Sequence, residues 1–126
     1  NLSDWLLIKD NHLGGVSITQ AVATARDRWP GRTVHVECDT YDQCVEALEM
    51  GADAILLDNM APDTVRGCVA AARERQEGHP RRTLWEVSGG VALDTIGEYS
   101  ATGVDMISVG AITNSAPVLD LGLDLG

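Results

Sequence analysis

The chain has 126 residues, 44% of them hydrophobic, which suits one compact domain and is too short for two. Its formal net charge is −10, from 19 acidic and 9 basic residues, so it is a poor candidate for binding nucleic acid or anionic lipid, and an anionic ligand must be held by local groups or a metal. No apolar run approaches the ~20 residues that span a bilayer and no signal-peptide pattern opens the chain, which together predict a soluble, cytoplasmic protein.

Five short apolar runs rich in β-branched residues alternate with four longer segments of helical period. This alternation predicts repeated β/α units and a parallel sheet, and therefore an α/β fold. We expect strands near residues 5–8, 33–38, 54–58, 83–88 and 105–109. From Leu119 to Leu125, apolar residues alternate with Asp and Gly, which predicts either a last strand or a closing tail.

Capping boxes mark the starts of the first two helices. They are Ser17-x-x-Gln20 and Thr40-x-x-Gln43, in which the Ser or Thr and the Gln each accept a hydrogen bond from a free backbone amide. The first helix should stop at Pro30-Gly31, and the second should end at Gly51 in a left-handed cap.

Apolar residues at helical spacing predict which helix faces point inward. In the first three helices these residues are Ala21, Val22 and Ala25; Tyr41, Val45 and Leu48; and Val65, Val69 and Ala72. Pro62 suits the first turn of the third helix. A fourth helix is expected from about Leu93 to Ala101, with its stop at Gly103.

Two segments of the chain have similar sequences. Residues 51–58 read Gly-Ala-Asp-Ala-Ile-Leu-Leu-Asp, and residues 103–110 read Gly-Val-Asp-Met-Ile-Ser-Val-Gly. Both contain a helix stop, an Asp and a buried strand in the same register. Each is typical of one unit in a repeating architecture.

The three cysteines do not predict a disulfide framework or a zinc cluster. Cys38, Cys44 and Cys68 are odd in number and form no C-x-x-C pair. We expect them to be small buried apolar side chains.

Polar or glycine-rich residues follow every predicted strand. Ligands of parallel α/β proteins bind outside the carboxyl ends of the strands, so these are the candidate site residues. They are Lys9-Asp10-Asn11-His12, Glu37-Cys38-Asp39, Asp58-Asn59, Ser88-Gly89-Gly90, and Gly110-Ala111 with Thr113-Asn114-Ser115. Polar turns also begin at strand ends for structural reasons alone, but five converging clusters favour a ligand site.

Each cluster suits one part of a sugar-phosphate ligand. Glu37 and Asp58 at adjacent strand ends would bind Mg²⁺ or the vicinal hydroxyls of a ribose. The amides of Ser88-Gly89-Gly90 would approach a phosphate closely, and Gly110-Ala111 would close its other side. Lys9 would neutralise a pyrophosphate leaving group or a substrate carboxylate, although a solvated lysine at a strand end is the commoner case.

The sequence resembles the quinolinate phosphoribosyltransferase family over nearly its whole length. Residues 7–12 read Leu-Ile-Lys-Asp-Asn-His, and further family landmarks follow in order. They are Val36-Glu37 with Asp39, Ile55 to Met60, Glu86 to Gly90, Gly103 to Asp105 with Ser108 to Ala111, and Leu119 to Leu123. Two positions depart from the family pattern, since His35 stands where Glu is common and Asn114 where His is common.

This resemblance implies that residues 1–126 form the C-terminal part of a TIM-like α/β barrel, an incomplete barrel with five or six strands. The family's N-terminal domain and first barrel strands, which include a basic segment for the quinolinate carboxylates, are absent from the sequence. We therefore expect either a fragment of a larger chain or two copies that complement each other, and the chain should be inactive, or nearly so, by itself. A homo-oligomer built from dimers is also implied.

The activity implied is an Mg²⁺-dependent phosphoribosyl transfer from phosphoribosyl pyrophosphate to quinolinate, with decarboxylation, which gives nicotinate mononucleotide for NAD synthesis. Carried over by residue, Lys9 contacts the anionic substrates, and Glu37 and Asp58 contact the ribose hydroxyls and Mg²⁺. The residues implied for the 5′-phosphate are Ser88, Gly89 and Gly90 together with Val109, Gly110 and Ala111.

Two other interpretations remain open at this stage. A related barrel with another pyridine or phosphosugar substrate, such as the molybdenum-associated pyrophosphorylase-like proteins, shares these landmarks. The other is a non-catalytic phosphate-binding or assembly fragment, whose exposed barrel edges are covered by a partner and which shows no turnover.

Overall fold

A computed structural model describes residues 5–9, 15–78, 82–89, 91–108 and 118–119. Strands and helices alternate along the chain as the sequence predicts. They are β1 (Trp5–Ile8), α1 (Ile18–Arg28), β2 (Thr33–Cys38), α2 (Tyr41–Glu49), β3 (Ala54–Asp58), α3 (Pro62–Gln76), β4 (Leu84–Ser88), α4 (Ile96–Ser100), β5 (Met106–Ile107) and β6 (Val118–Leu119).

The six strands form one parallel sheet in the order β5-β4-β3-β2-β1-β6. The α/β fold predicted from the sequence is confirmed. Within the described residues the sheet does not close, because β5 and β6 are its two edges. β6 begins at Val118, one residue before the segment predicted as a last strand or closing tail.

The two faces of the sheet differ in what covers them. One face packs against the helices through alternate strand residues, and the core cluster joins these to α1, α2 and α3. The strand residues in that cluster are Leu6, Ile8, Val34, Val36, Cys38, Ile55, Leu57, Trp85 and Val87. Side chains of a strand alternate between faces, so the residues between these positions point to the other face, called the open face below.

The helix starts follow the predicted chemistry. Ser17 and Thr40 each accept a hydrogen bond from the backbone amide three residues on, and each capping box is complete. Pro62 is the first residue of α3. The lack of an N–H costs nothing there, because the first amides of a helix have no partner within the helix. Gly51 ends α2 with φ +73°, as expected of a left-handed cap.

Two details of the helix predictions are wrong. Of the predicted face of α2, Leu48 is buried, Val45 is half-buried, and Tyr41 is 44% exposed beside Gly67 of α3. The small residues Cys44 and Ala47 are buried in the core instead. α4 begins at Ile96 rather than near Leu93, which lies in a turn.

The predicted inward faces of α1 and α3 are confirmed. Every residue named for them is buried, and the three cysteines are buried free thiols, as expected. Within the described ranges, no helix is long and apolar enough to cross a bilayer.

The repeated Gly-x-Asp sequence has a structural counterpart at the amino ends of the strands. The Asp53 carboxylate accepts a 2.7 Å hydrogen bond from the Val34 amide, and Asp53 N donates to the Val34 carbonyl at 2.9 Å. Asp105 makes the same pair of bonds with Trp85, at 2.8 and 2.9 Å. Each Asp therefore anchors the start of its own strand to the start of the preceding one.

Candidate functional site

Four of the predicted site residues lie on the open face at the carboxyl ends of neighbouring strands. Ile8 and Val36 are register partners on β1 and β2. Lys9 and Glu37 are the next residues along the two chains, so they are neighbours at the strand ends. Glu37 is paired with Leu56, and Asp58 is the next residue on the same face of β3.

The fourth residue, Ser88, is directly paired with Asp58 across β3 and β4. Alternation along each strand places all four side chains on the face that the helices do not cover. Lys9, Glu37 and Asp58 are half-buried and Ser88 is buried. The structure thus brings together a lysine, two carboxylates and the start of a glycine-rich loop.

A backbone hydrogen bond connects the loop after β3 to the end of β4. Asn59 adopts a left-handed backbone conformation with φ +52°, uncommon for a residue with a side chain, and its amide donates a 3.3 Å hydrogen bond to the Ser88 carbonyl. Gly89 is also left-handed, with φ +68°. Left-handed backbone at a residue with a side chain, as at Asn59, occurs preferentially at functional sites.

The Asp58 carboxylate lies against the backbone of Gly89. A Cβ at residue 89 would overlap Asp58 Oδ1 and would come within 3.3 Å of Asn59 Oδ1. The glycine is therefore needed both for its backbone conformation and for the space that Asp58 occupies. The other residues predicted for the phosphate, Gly90, Val109, Gly110 and Ala111, lie outside the described residues, as do Asp10 to His12 and Thr113 to Ser115.

The open face also carries the carboxylate of Glu86, for which the sequence predicted no role. Glu86 lies on β4 one alternate position before Ser88, with Leu56 and Met106 as its register partners. Its Oε2 accepts a 3.0 Å hydrogen bond from the Ser108 hydroxyl. The signal was present in the sequence, because a Glu inside an apolar strand and in phase with a site serine predicts a polar side chain on the same face.

His35 stacks on Trp5 farther down the open face. Their ring centroids are 4.1 Å apart and the rings are inclined by 22°. Burial lowers the pKa of His35 from its ordinary value of 6.5, and the negative charge of Asp53 opposes that shift. A neutral imidazole stacked on an indole fits a packing role one alternate position before Glu37.

The described residues contain no group of three His, Cys, Asp or Glu side chains arranged to hold a metal ion. Glu37 and Asp58 provide two carboxylates on one face. Two carboxylates are enough for Mg²⁺ when substrate phosphates and water complete its coordination, but they do not form a cage made of protein groups alone.

A depression of about 630 Å³ opens at the opposite end of the sheet, at the amino ends of β3 and β4. Its lining includes Arg26, Arg75 and Arg82. Each arginine lies within 4.0 Å of a carboxylate, on Asp53, Glu49 and Asp105 respectively. These charges are balanced locally, so the depression offers an anion little net attraction.

Comparison with known proteins identifies the same family along the whole chain. A family model described as quinolinate phosphoribosyl transferase, C-terminal domain, matches residues 1–124. The chain is 42% identical over 126 residues to a probable nicotinate-nucleotide pyrophosphorylase (carboxylating) of Methanothermobacter thermautotrophicus, covering 98% of this chain and 44% of that protein. It is 35% identical over 128 residues to the Rattus norvegicus nicotinate-nucleotide pyrophosphorylase (carboxylating), covering 99% and 41%.

Solved structures give the same result. The nicotinate-nucleotide pyrophosphorylase of Francisella tularensis superposes with a TM-score of 0.74 at 34% identity, over 93% of this chain and 40% of that one. A thiamine phosphate pyrophosphorylase from Pyrococcus furiosus, with a TM-score of 0.63 at 18% identity, shares the fold alone. The chain thus spans well under half the length of these nicotinate-nucleotide relatives.

Proposed function

Because the chain belongs to the quinolinate phosphoribosyltransferase family, we propose that it forms the part of the enzyme's α/β barrel that holds the ribose phosphate. The complete protein joins quinolinate to phosphoribosyl pyrophosphate and produces nicotinate mononucleotide, pyrophosphate and carbon dioxide. The names of its relatives support this activity. In the chain itself, the observation that carries the proposal is the shared face and strand end of Lys9, Glu37, Asp58 and Ser88.

The reaction exchanges one bond at the ribosyl carbon for another. The pyridine nitrogen donates its lone pair to that carbon while the bond to pyrophosphate breaks, and pyrophosphate leaves with the bonding electrons. In the resulting cationic ring, the bond to the adjacent carboxylate breaks, carbon dioxide leaves, and the ring carbon takes a proton from solvent. No protein nucleophile is needed, so the protein must orient the reactants and balance charge.

Lys9 provides positive charge at the rim of the open face. In a chain with a net charge of −10, an anionic substrate depends on such local groups. Its ammonium acts as a point charge for the pyrophosphate or a substrate carboxylate. Glu37 and Asp58 accept hydrogen bonds from the ribose hydroxyls, and they attract the positive charge that develops on the ribosyl carbon.

The 5′-phosphate lies against the backbone of two loops. Ser88 and Gly89, with Gly90, supply amides from the loop after β4, and Val109, Gly110 and Ala111 supply the opposite side. Glycine lets the backbone approach the phosphate without a side chain between them. Gly89, proposed for the phosphate, packs directly against Asp58, proposed for the ribose, so a change at either residue affects the other.

Magnesium fits this site as an ion that arrives with phosphoribosyl pyrophosphate. Mg²⁺ commonly keeps several waters and takes one or two carboxylates plus substrate phosphates, and Glu37 and Asp58 match that donor set. When bound, the ion offsets the negative charge of the leaving pyrophosphate.

The remainder of the site comes from outside this chain. We place the segment that binds the quinolinate carboxylates in the rest of the complete protein, a cytoplasmic homo-oligomer based on dimers, and expect residues 1–126 alone to lack activity. The extent of the match, 41–44% of the length of the relatives named above, supports this division.

Isothermal titration of the complete protein with quinolinate and with phosphoribosyl pyrophosphate, followed by an assay for nicotinate mononucleotide, tests the proposal. We expect both ligands to bind and the product to form. Glu37→Gln and Asp58→Asn should each lower kcat/KM by about 100-fold, while Asp27→Asn on the exposed surface of α1 serves as the matched control.

The possible outcomes separate the alternatives. Binding of phosphoribosyl pyrophosphate without quinolinate would favour a related barrel with another acceptor. Binding of phosphate without turnover of any pyridine would favour a non-catalytic role.

A further inference from the structure

Glu86 is a half-buried carboxylate on the open face that the proposed reaction does not use. It lies on the strand that leads into the loop of Ser88 and Gly89, one alternate position before Ser88. A half-buried carboxylate needs a hydrogen-bond partner to offset its loss of contact with water. The contact that the structure shows is the 3.0 Å hydrogen bond from the Ser108 hydroxyl.

Ser108 is held to β4 by two bonds. Its hydroxyl donates to Glu86, and its amide donates a 2.9 Å hydrogen bond to the Val87 carbonyl. Ser108 immediately precedes Val109 to Ala111, the residues proposed for the second side of the phosphate. The two bonds thus fix Ser108 relative to β4, the strand that leads into Ser88 and Gly89.

We propose that Glu86 is a positioning residue that holds Ser108, the residue before Val109 to Ala111 in sequence, against β4 for phosphate binding. This inference rests on the proposed function and adds a determinant of affinity for the phosphorylated substrate. Backbone amides bind a phosphate only within hydrogen-bond distance of its oxygens, so affinity is sensitive to how the residue that leads into them is held. A charged acceptor makes the bond from Ser108 about twice as strong as a neutral one.

The test compares Glu86→Ala, Ser108→Ala, the double variant and Glu86→Gln in the complete protein. The readouts are the affinity for phosphoribosyl pyrophosphate by calorimetry and the kcat and KM for both substrates. Without the bond, the ligand must order Ser108 when it binds, so part of the bond's contribution is lost from the binding free energy. Each alanine variant should therefore weaken phosphoribosyl pyrophosphate binding by about threefold to thirtyfold. The quinolinate KM and kcat should change by less than about threefold.

Two comparisons distinguish positioning from general destabilisation. The double variant should be no worse than either single variant, because both remove the same bond. Glu86→Gln keeps an acceptor oxygen and should recover about half of the lost binding free energy. Leu84→Ala, on the same strand and face and 52% exposed, is the matched control and should bind like the wild type.

Unchanged affinity in Glu86→Ala, or additive losses in the double variant, would overturn the inference. An equal fall in kcat and in affinity for both substrates, with no recovery in Glu86→Gln, would also overturn it and indicate a purely structural bond. Wild-type binding of phosphoribosyl pyrophosphate without quinolinate turnover would count against the proposed reaction and leave this comparison intact. A wild type that binds neither ligand would refute both.

Discussion

The Asp58 carboxylate occupies the space that a side chain at Gly89 would need. Asp58 is the last residue of β3, and its register partner is Ser88, the last residue of β4 and the one before Gly89. A carboxylate proposed for the ribose and a glycine proposed for the phosphate thus constrain one another directly. This contact joins the two recognition elements more tightly than the separation of residues 58 and 89 in sequence would suggest.

Gly89→Ala should impair both stability and ligand binding. The new methyl group meets Asp58 Oδ1, and an alanine at φ +68° is strained, so we expect a loss of about 1–3 kcal/mol in the free energy of unfolding. Urea denaturation measures this loss. Displacement of Asp58 should also weaken phosphoribosyl pyrophosphate binding by at least about tenfold.

Gly97→Ala is the matched control for that substitution. Gly97 lies in α4 with open space at its Cβ position and no positive φ, so the same change should stabilise the protein by about 0.4–1 kcal/mol. Equal effects of the two substitutions would contradict the role assigned to the Asp58–Gly89 contact.

Asp53→Ala and Asp105→Ala should each destabilise the fold without changing the ligand site. Each carboxylate accepts a backbone hydrogen bond from the neighbouring strand at the end of the sheet away from Lys9 and Glu37. Leaving those amides without a partner costs about 1–3 kcal/mol in the free energy of unfolding. Asp27→Ala on the surface of α1 should stay within about 0.5 kcal/mol, and a similar loss there would refute the anchoring role.

The three cysteines should resist modification in the folded protein. Hydrogen bonding between neighbouring thiols, together with burial, raises the pKa of Cys44 and of Cys68, and each cysteine side chain is buried. The nucleophile is the thiolate, so Ellman's reagent should titrate none of these thiols before unfolding and all of them in denaturant. One fast-reacting thiol per chain, assigned to any of these three by mass spectrometry, would contradict the buried cluster.

His35 should make stability depend on pH near neutrality. Burial lowers its pKa in the folded state below 6.5, so the unfolded chain binds more protons between the two pKa values. The stability that the neutral His35 side chain contributes is fully present above about pH 6.5. It is lost as the pH falls through the folded-state pKa. His35→Phe keeps a ring against Trp5 without titrating, and urea midpoints between about pH 5.5 and 7.5 should therefore flatten. An unchanged slope would remove His35 as the cause.

Much of the fold follows from local chemistry in the sequence. The boundaries of β1, β2 and β3 match the predicted strands, because their apolar runs end at charged or polar residues. The two capping boxes and Pro62 fix the helix starts. These signals act over a few residues, which is why no long-range information was needed to find them.

The errors arise where tertiary packing overrides local pattern. Tyr41 continues the apolar spacing of α2, yet it is displaced outward because Cys44 and Ala47 let that helix approach the sheet and α3 closely. Leu93 is 82% exposed in a turn, although it fits a helical pattern. Neither outcome can be inferred from periodicity, which does not specify the distance between helices.

The candidate site was predictable in part. Strand ends in a parallel sheet converge, so the grouping of Lys9, Glu37, Asp58 and Ser88 followed from the alternation of strands and helices. The contact between Asp58 and Gly89 and the bond between Glu86 and Ser108 depend on register across strands, which the sequence does not specify. Alternation along β4 places Glu86 on the same face as Ser88, and this part could be predicted from the sequence.

A crystal structure of the complete protein with phosphoribosyl pyrophosphate is the most direct measurement. Our prediction is a 5′-phosphate within about 3 Å of backbone amides at Ser88 and Gly89, with the ribose hydroxyls on Glu37 and Asp58. Ligand bound instead at the amino ends of the strands, in the depression beside Arg26, Arg75 and Arg82, would contradict it.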